Sequence, residues 1–320
     1  MKLPKIRQNL QEQHDRKNME FGDFQEMITE GLKQIYGDGV EIDTDLVLKN
    51  NGTNYHGMYI FRKDSEYKAC PVINLDNVYE AFNHGVSFED CVYGIYRTRG
   101  TLSNPKGVEM IMEMASDWEM VKDNVYPILL STEENQGMIK DLVSKPVLDL
   151  SVVYSIRIEL HGKGSLGIKI NRKLLESYGI SNEELHKQAM KNLEKDGYEF
   201  LDATALIKEA YQLKETEDEQ EVGYDPDPEM YILTNRTRIY GAAGILHKKL
   251  IREFAKGRDL IILPSSMHET IFVPVDNKFD QKIFDIMVST VNKTEVDAEE
   301  RLADHSYYYD AETDEIRICA

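Results

Sequence analysis

The N-terminal third of the chain changes from a helical to a strand-like hydrophobic pattern. Apolar residues recur with helical spacing at Phe24, Met27, Ile28, Leu32 and Ile35, and this stripe predicts one amphipathic helix that ends at the glycines of 37–39. Turn residues then separate three runs that alternate or are rich in β-branched residues, at 40–48, 55–61 and 69–75. We therefore predict a helix followed by a small meander of strands.

A methionine-rich helix is predicted after a break in the pattern at 97–107, where Gly, Ser, Asn and Pro collect. The helix carries Met110, Met112, Met114, Trp118 and Met120. Flexible thioether side chains can form an adaptable surface for a partner protein. An apolar stripe of this spacing is more often part of the core, and we favour that interpretation.

From Val125 onward, strand-like and helical patterns alternate. Apolar β-branched runs predict strands at 126–130, 148–160, 167–170 and 230–233, and two hairpins formed by 259–263 with 270–275 and by 307–309 with 315–318. Helices are predicted after the Ser181–Glu184 capping box, over 239–256, and along the stripe Phe279, Ile283, Ile286, Met287 and Val291. This order favours an α+β fold with mixed or antiparallel sheets, packed amphipathic helices and two or three subdomains.

Residues 215–229 form the clearest break in composition. They hold eight acids, two prolines and no base, so they cannot bury enough apolar surface to fold alone. We predict an acidic linker or loop here. Together with the break at 97–107, it divides the chain into an N-terminal region at 1–100, a central α+β region at 101–214 and a C-terminal α+β region at 230–320.

The charge balance narrows the class of partner. The 320 residues include 57 acidic and 38 basic side chains, a formal charge of -19, so direct binding to nucleic acid or to an anionic membrane is not expected. No apolar run reaches the ~18 residues of a membrane span. The basic N-terminal residues lack the apolar stretch of a secretory signal, which predicts a cytoplasmic protein. Cys70, Cys91 and Cys319 do not have the spacing of a disulfide framework or a zinc site.

The most suggestive reactive side chains lie in the loop of the hairpin at 259–275 and near the end of the chain. They are Ser265, Ser266, His268, Glu269, Asp304 and His305. A hydroxyl, an imidazole and a carboxylate are the parts of an activated nucleophile, which makes these residues candidates for a hydrolase site. However, the chain has no GxSxG elbow. We favour the alternative that both serines and His268 form local hydrogen bonds within the loop.

The same residues offer a set of metal ligands, since His268, Glu269, Asp304 and His305 supply two imidazoles and two carboxylates. Adjacent strand residues point to opposite faces, and an HExxH motif is absent. We therefore predict neither a metal nor a cofactor. A glycine-rich helix start at 241–244, near two arginines, could accept a phosphate. It lacks a nucleotide-binding pattern, so close packing of small residues is the favoured interpretation.

Three segments of the C-terminal region carry a family resemblance. They are LPSSMHETIFVP at 263–274, VNKTEV at 291–296 and LADHSYYYD at 302–310. Together they resemble family 5688 of domains of unknown function, from low-GC Gram-positive bacteria, and the likeness extends from Phe24 onward. More remotely, YPILLSTEEN at 126–135 and ISNEELHKQAMKNL at 180–193 are similar to the YtpQ-like family. The resemblance implies a bacterial cytoplasmic setting and carries over no catalytic residue.

These features favour a non-catalytic binding or regulatory module with a protein partner. Two alternatives stay open. A hydrolase or metal-dependent enzyme would use the cluster around His268. An acidic nucleic-acid mimic, acting in counter-defence, would array carboxylates at the spacing of phosphates, and its attraction for a nucleic-acid-binding enzyme would weaken as salt is added.

Overall fold

A computed structural model of the chain describes residues 19–63, 72–102, 111, 113–159, 165–203, 229–275 and 280–319. The chain divides into two compact units. The first unit comprises the residues up to Lys49 and those from Thr53 to Met114; the second comprises Asn50–Gly52 and the residues from Ala115 onward. Helices pack beside three sheets of antiparallel strands. The α+β prediction is therefore confirmed.

The first unit packs helices against a three-stranded sheet. Its elements are α1 (Phe21–Tyr36), β1 (Val40–Leu48), β2 (Asn54–Arg62), β3 (Ile73–Asn74), α2 (Leu75–Asn83) and α3 (Phe88–Leu102). The core is apolar and includes Phe24, Ile28, Leu32, Met58, Ile60, Leu75 and Phe82. The predicted helix stripe at its start is confirmed, because Phe24, Ile28 and Leu32 are fully buried.

The third predicted strand of this unit, at 69–75, is shorter in the structure. Residues 69–71 lie outside the described residues, and only Ile73–Asn74 pairs with β2. Asn74 ends the strand because its side chain accepts a hydrogen bond from the backbone N–H of Asn77 at 3.2 Å and so caps α2. Leu75 therefore opens a helix instead of continuing the strand.

The second unit contains a four-stranded sheet built around one long strand. The strands are β4 (Val125–Ser131), β5 (Ser144–Val147), β6 (Leu150–Glu159) and β7 (Ser165–Lys169). Strand β6 pairs with β4 along one edge, and β5 and β7 share its other edge end to end. The predicted strands at 126–130, 148–160 and 167–170 are confirmed to within a few residues, whereas β5 is an addition that the pattern did not indicate.

The other sheet of the second unit has six strands. They are β8 (Glu199–Asp202), β9 (Tyr231–Thr234), β10 (Asp259–Leu263), β11 (Thr270–Val275), β12 (Tyr307–Asp310) and β13 (Glu315–Ile318), in the order β13-β12-β10-β11-β9-β8. Both predicted hairpins are confirmed. Strand β8 pairs with β9, so residues on both sides of the acidic segment belong to one sheet. Of that segment, 215–229, only Glu229 is among the described residues.

Helices of the second unit surround these sheets. They are α4 (Trp118–Val121), α5 (Gln136–Ile139), α6 (Arg172–Tyr178), α7 (Asn182–Leu193), α8 (Lys248–Ala255) and α9 (Gln281–Thr294). The predicted capping box at Ser181–Glu184 opens α7. Trp118 packs on Tyr178 with ring centroids 5.4 Å apart, whereas Met120 is 59% exposed. Met110 and Met112, from the predicted methionine-rich stripe, lie outside the described residues.

The helix predicted over 239–256 is wrong in its first half. Residues Gly241–Leu246 form a buried 3-10 helix, and α8 begins only at Lys248. A Cβ at Gly241 would lie 2.4 Å from the carbonyl oxygen of His268, and one at Gly244 would lie 2.8 Å from the ring of Tyr198. These distances confirm the prediction that small residues are needed here for close packing. The backbone of this segment has the tighter winding of a 3-10 helix and not that of a regular α-helix.

Helix α9 buries a face that coincides only in part with the predicted stripe, of which Met287 packs against the core and Phe279 lies outside the described residues. Phe284 and Val288 are buried, whereas Ile283 and Ile286 are 58% and 67% exposed. The segment carries apolar residues around most of its circumference, so hydrophobic spacing alone does not determine which stripe packs on the sheet. Ile283 and Ile286 therefore form an exposed apolar edge of this helix.

The close packing at Gly244 gives a stability prediction. We expect Gly244→Ala to lower the free energy of unfolding by about 1–3 kcal/mol, because the added methyl group must displace Tyr198 and Leu233. Gly137→Ala is the control, since a Cβ there meets nothing within 4 Å. Urea unfolding measures both changes, and equal stability of the two variants would contradict the packing account.

Candidate functional site

The loop between β10 and β11 is held by backbone pairing with residues 300–303. The backbone N–H groups of Leu302 and Ala303 donate to the carbonyl oxygens of Ser265 and Pro264, and the N–H of Met267 donates to that of Glu300. These bonds satisfy backbone groups that burial removes from water. The loop that carries the predicted nucleophile is thus an ordered and largely buried part of the unit.

Met267 joins this loop to the four-stranded sheet. Its side chain is 4% exposed and packs in a cluster with Ile128, Leu130, Leu142 and Val153. A buried thioether among branched side chains contributes apolar burial in the ordinary way of a core residue. Met267 therefore anchors the loop in the core.

His268 contacts two neighbours through its ring nitrogens. The backbone N–H of Tyr240 donates to Nδ1 at 3.2 Å, and Nε2 lies 3.2 Å from Oε1 of Glu300. A backbone N–H can only donate, so Nδ1 carries no proton and the ring proton of the neutral imidazole is on Nε2, beside the carboxylate. In this arrangement neither nitrogen is available to take a proton from a serine.

The two loop serines differ in their surroundings. The Oγ of Ser266 accepts a hydrogen bond from the backbone N–H of His268 at 3.0 Å. Ser265 is buried, and Glu269 is exposed at the surface. Ser266 therefore forms the local side chain–backbone hydrogen bond that turns and loops commonly use.

Asp304 and His305 contact a different group of residues. Asn292 donates its side-chain amide to Asp304, and Nε2 of His305 lies 3.4 Å from Asp149, close enough for an ion pair but not aligned as a hydrogen bond. Both residues line a polar cavity of about 310 Å³ that also includes Arg301.

No hydrogen bond or ion pair of either side chain reaches the LPSSMHE loop within the part of the chain that the structure describes. Over the same residues, no group of three or more His, Cys, Asp and Glu side chains is arranged to hold a metal ion. The catalytic assignment of the six residues stays a prediction.

An apolar cleft in the second unit has no counterpart in the sequence analysis. It encloses about 460 Å³ and is lined by Val147, Leu148, Val152, Met190, Ile245, Leu246, Ile251, Tyr309 and Ile316, with Lys145, Pro146, His186, Lys248, Asp314 and Glu315 completing the lining. Sites for small molecules typically measure about 300–1,000 Å³ and combine apolar walls with a few fixed polar groups. The cleft has the size and the composition of such a site.

Three polar side chains that line this cleft, those of His186, Tyr309 and Asp314, have hydrogen-bond partners. The hydroxyl of Tyr154, which is 1% exposed, lies 2.9 Å from Nδ1 of His186. Asp314 accepts a hydrogen bond from the hydroxyl of Tyr309 at 2.8 Å and one from Arg252 at 3.1 Å. Burial, and then the nearby Lys145, lower the pKa of His186, which favours the neutral ring at neutral pH.

The cleft was missed because its lining comes from separate parts of the chain. Strands β5 and β6, helix α7, the 3-10 helix with α8, and the β12–β13 hairpin each contribute one to four residues. No spacing along the sequence connects them. The one local signal was the unusually apolar pair Ile245–Leu246 beside the packed glycines, and it also fits an ordinary core helix.

The fold places the chain in the class of α+β proteins, with antiparallel sheets and a buried loop after β10. A family model described as Family of unknown function (DUF5688) matches residues 21–311, so the chain belongs to this family. The resemblance stated from the sequence is thereby confirmed, while the similarity to the YtpQ-like family stays a prediction. Comparison with the curated proteins and with the solved structures finds no match. Among the described residues, no helix has both the length and the apolar character needed to cross a membrane.

The contacts of His268 generate a second stability prediction. We expect His268→Ala to lower the free energy of unfolding by about 1–3 kcal/mol, because the backbone N–H of Tyr240 loses its acceptor. His268→Asn retains an acceptor near the position of Nδ1 and should recover part of the loss. Urea unfolding compares the variants, and a His268→Ala protein as stable as the wild type would show that the histidine does not hold the loop.

Proposed function

We propose that the protein is a non-catalytic binding protein and that its binding site is the apolar cleft of the second unit. The observation that carries the proposal is the cleft itself, about 460 Å³ bounded mainly by apolar side chains. Burying a ligand against such walls is favourable by roughly 25 cal/mol per Å² of apolar surface removed from water. No covalent step is needed for this function.

The contacts of the predicted nucleophile cluster support a binding role over a hydrolytic one. Activation of a serine requires a histidine nitrogen that can accept its proton. Nδ1 of His268 already accepts from Tyr240, and Oγ of Ser266 accepts from the His268 backbone. Both groups thus stabilise the loop, and the proposal assigns them that role.

The proposal includes a reducing, cytoplasmic setting. The three cysteines are far apart in sequence, and of the two that the structure describes, Cys91 is buried and both are free thiols. Free, partly buried thiols are typical of proteins in a reducing compartment. The bacterial origin implied by the family resemblance fits this setting.

Binding of a neutral apolar probe tests the proposal. N-phenyl-1-naphthylamine fluoresces strongly only when it leaves water, and we expect its emission to rise on addition of the protein and to saturate. Met190→Trp should reduce this binding at least about tenfold, because a larger ring would occupy the cleft that Met190 lines. Titration followed by fluorescence gives the dissociation constants.

Met120→Trp is the matched control for this experiment. It makes the same substitution in the same unit, at a residue that is 59% exposed and does not line the cleft. Its affinity for the probe should equal that of the wild type. Absence of saturable binding to the wild type, or equal affinity in both tryptophan variants, would overturn the proposed function.

A further inference from the structure

The lining of the cleft includes a hydrogen-bond donor on His186. The buried hydroxyl of Tyr154 has Nδ1 of His186 as its partner, and a buried hydroxyl that fails to donate loses a hydrogen bond. We therefore take Tyr154 as the donor, which leaves the proton of the neutral ring on Nε2. Nε2 has no hydrogen-bond partner among the residues that the structure describes, and His186 lines the cleft.

In addition to burial, Lys145 brings a positive charge close enough to His186 to lower its pKa, while the nearby carboxylate of Glu183 acts in the opposite direction. Lys145 also lines the cleft, and its nearest acidic partner is Glu183, 3.8 Å away. The two side chains are 47% and 80% exposed, and an ion pair of this length at the surface contributes little. The ammonium group of Lys145 can therefore bind a ligand with the loss of only its weak ion pair with Glu183.

The other charged residues that line the cleft, Asp314, Lys248 and Glu315, have a different charge balance. Asp314 already accepts hydrogen bonds from Tyr309 and Arg252, so the negative charge of its carboxylate is balanced by the guanidinium group. Lys248 and Glu315 are both exposed and oppose each other in sign. These three residues thus offer no concentrated charge.

We propose that the cleft binds a small amphipathic carboxylate, with its carboxylate against Nε2–H of His186 and the ammonium of Lys145. Its hydrocarbon part lies along apolar residues such as Val152, Met190 and Ile251. A hydrogen bond to an ionised acceptor is about twice as strong as one between neutral groups, which gives the site a preference for the anion. This inference rests on the proposed function and adds the chemical class of the ligand.

Competition between three ten-carbon compounds tests the inference. Decanoate, decan-1-ol and decylamine share one chain and differ in the head group, and each is added below its micelle-forming concentration to protein holding N-phenyl-1-naphthylamine. We expect decanoate to displace the probe with an affinity about tenfold higher than that of decan-1-ol. Decylamine should bind more weakly than the alcohol, because its charge repels that of Lys145.

Variants of residues that line the cleft distinguish binding of the ligand's head group from binding of its hydrocarbon chain. Lys145→Gln and His186→Asn should each reduce the affinity for decanoate several-fold more than that for decan-1-ol, because only the carboxylate carries a charge. Asn retains an acceptor for Tyr154 while removing Nε2–H, so it tests the donor without leaving the hydroxyl unpaired. Lys187→Gln is the matched control, since Lys187 is exposed on helix α7 next to His186 and does not line the cleft.

The outcomes distinguish this inference from the proposed function. If decanoate and decan-1-ol bind equally, or if decanoate fails to displace a probe that does bind, the carboxylate assignment is overturned while the cleft remains a binding site. If the probe does not bind and none of the three compounds binds by calorimetry, both proposals fall. A preference for decanoate that is lost in Lys145→Gln and kept in Lys187→Gln supports the inference.

Discussion

Burial of the loop between β10 and β11 is the constraint on which the second unit depends. A loop carries backbone donors and acceptors that must be paired when water is excluded, and here the chain at 300–303 supplies the partners. The pairing places Met267 in the core of the four-stranded sheet. Gly241 has no room for a side chain because the carbonyl of His268 occupies the space next to it.

The same constraint gives the polar residues of this loop a structural role. Ser266, His268 and Glu300 are polar groups in a partly buried segment, and polar groups in such a segment need partners. Ser266 accepts a hydrogen bond from the backbone N–H of His268, and His268 accepts one from the backbone N–H of Tyr240. Glu300 lies 3.2 Å from Nε2 of His268. Hydrogen bonding to the backbone gives Ser266 and His268 a structural role in the loop. The cleft lies elsewhere in the unit, and its walls are apolar.

Local features of the fold could be predicted from the sequence, and features set by long-range packing could not. The β10–β11 hairpin and the Ser181 cap depend on neighbouring residues, and both are confirmed. Strands β5 and β8 have four residues each, which is too short for an alternating pattern to stand out. The 3-10 helix at 241–246 follows from contacts with His268 and Tyr198, and those residues are distant in sequence. For the same reason, no motif marked the cleft, whose lining comes from five separate stretches of chain.

The most direct test of the central claim is a methyl NMR titration of the isoleucine- and methionine-labelled protein with N-phenyl-1-naphthylamine. The account predicts saturable shifts at Met190, Ile245 and Ile251, which line the cleft. The methyl groups of Met120 and Ile286, exposed and outside it, should not move. Shifts that are largest at Ile286, or no saturable shift at the three cleft residues, would contradict the claim that this cleft is the binding site.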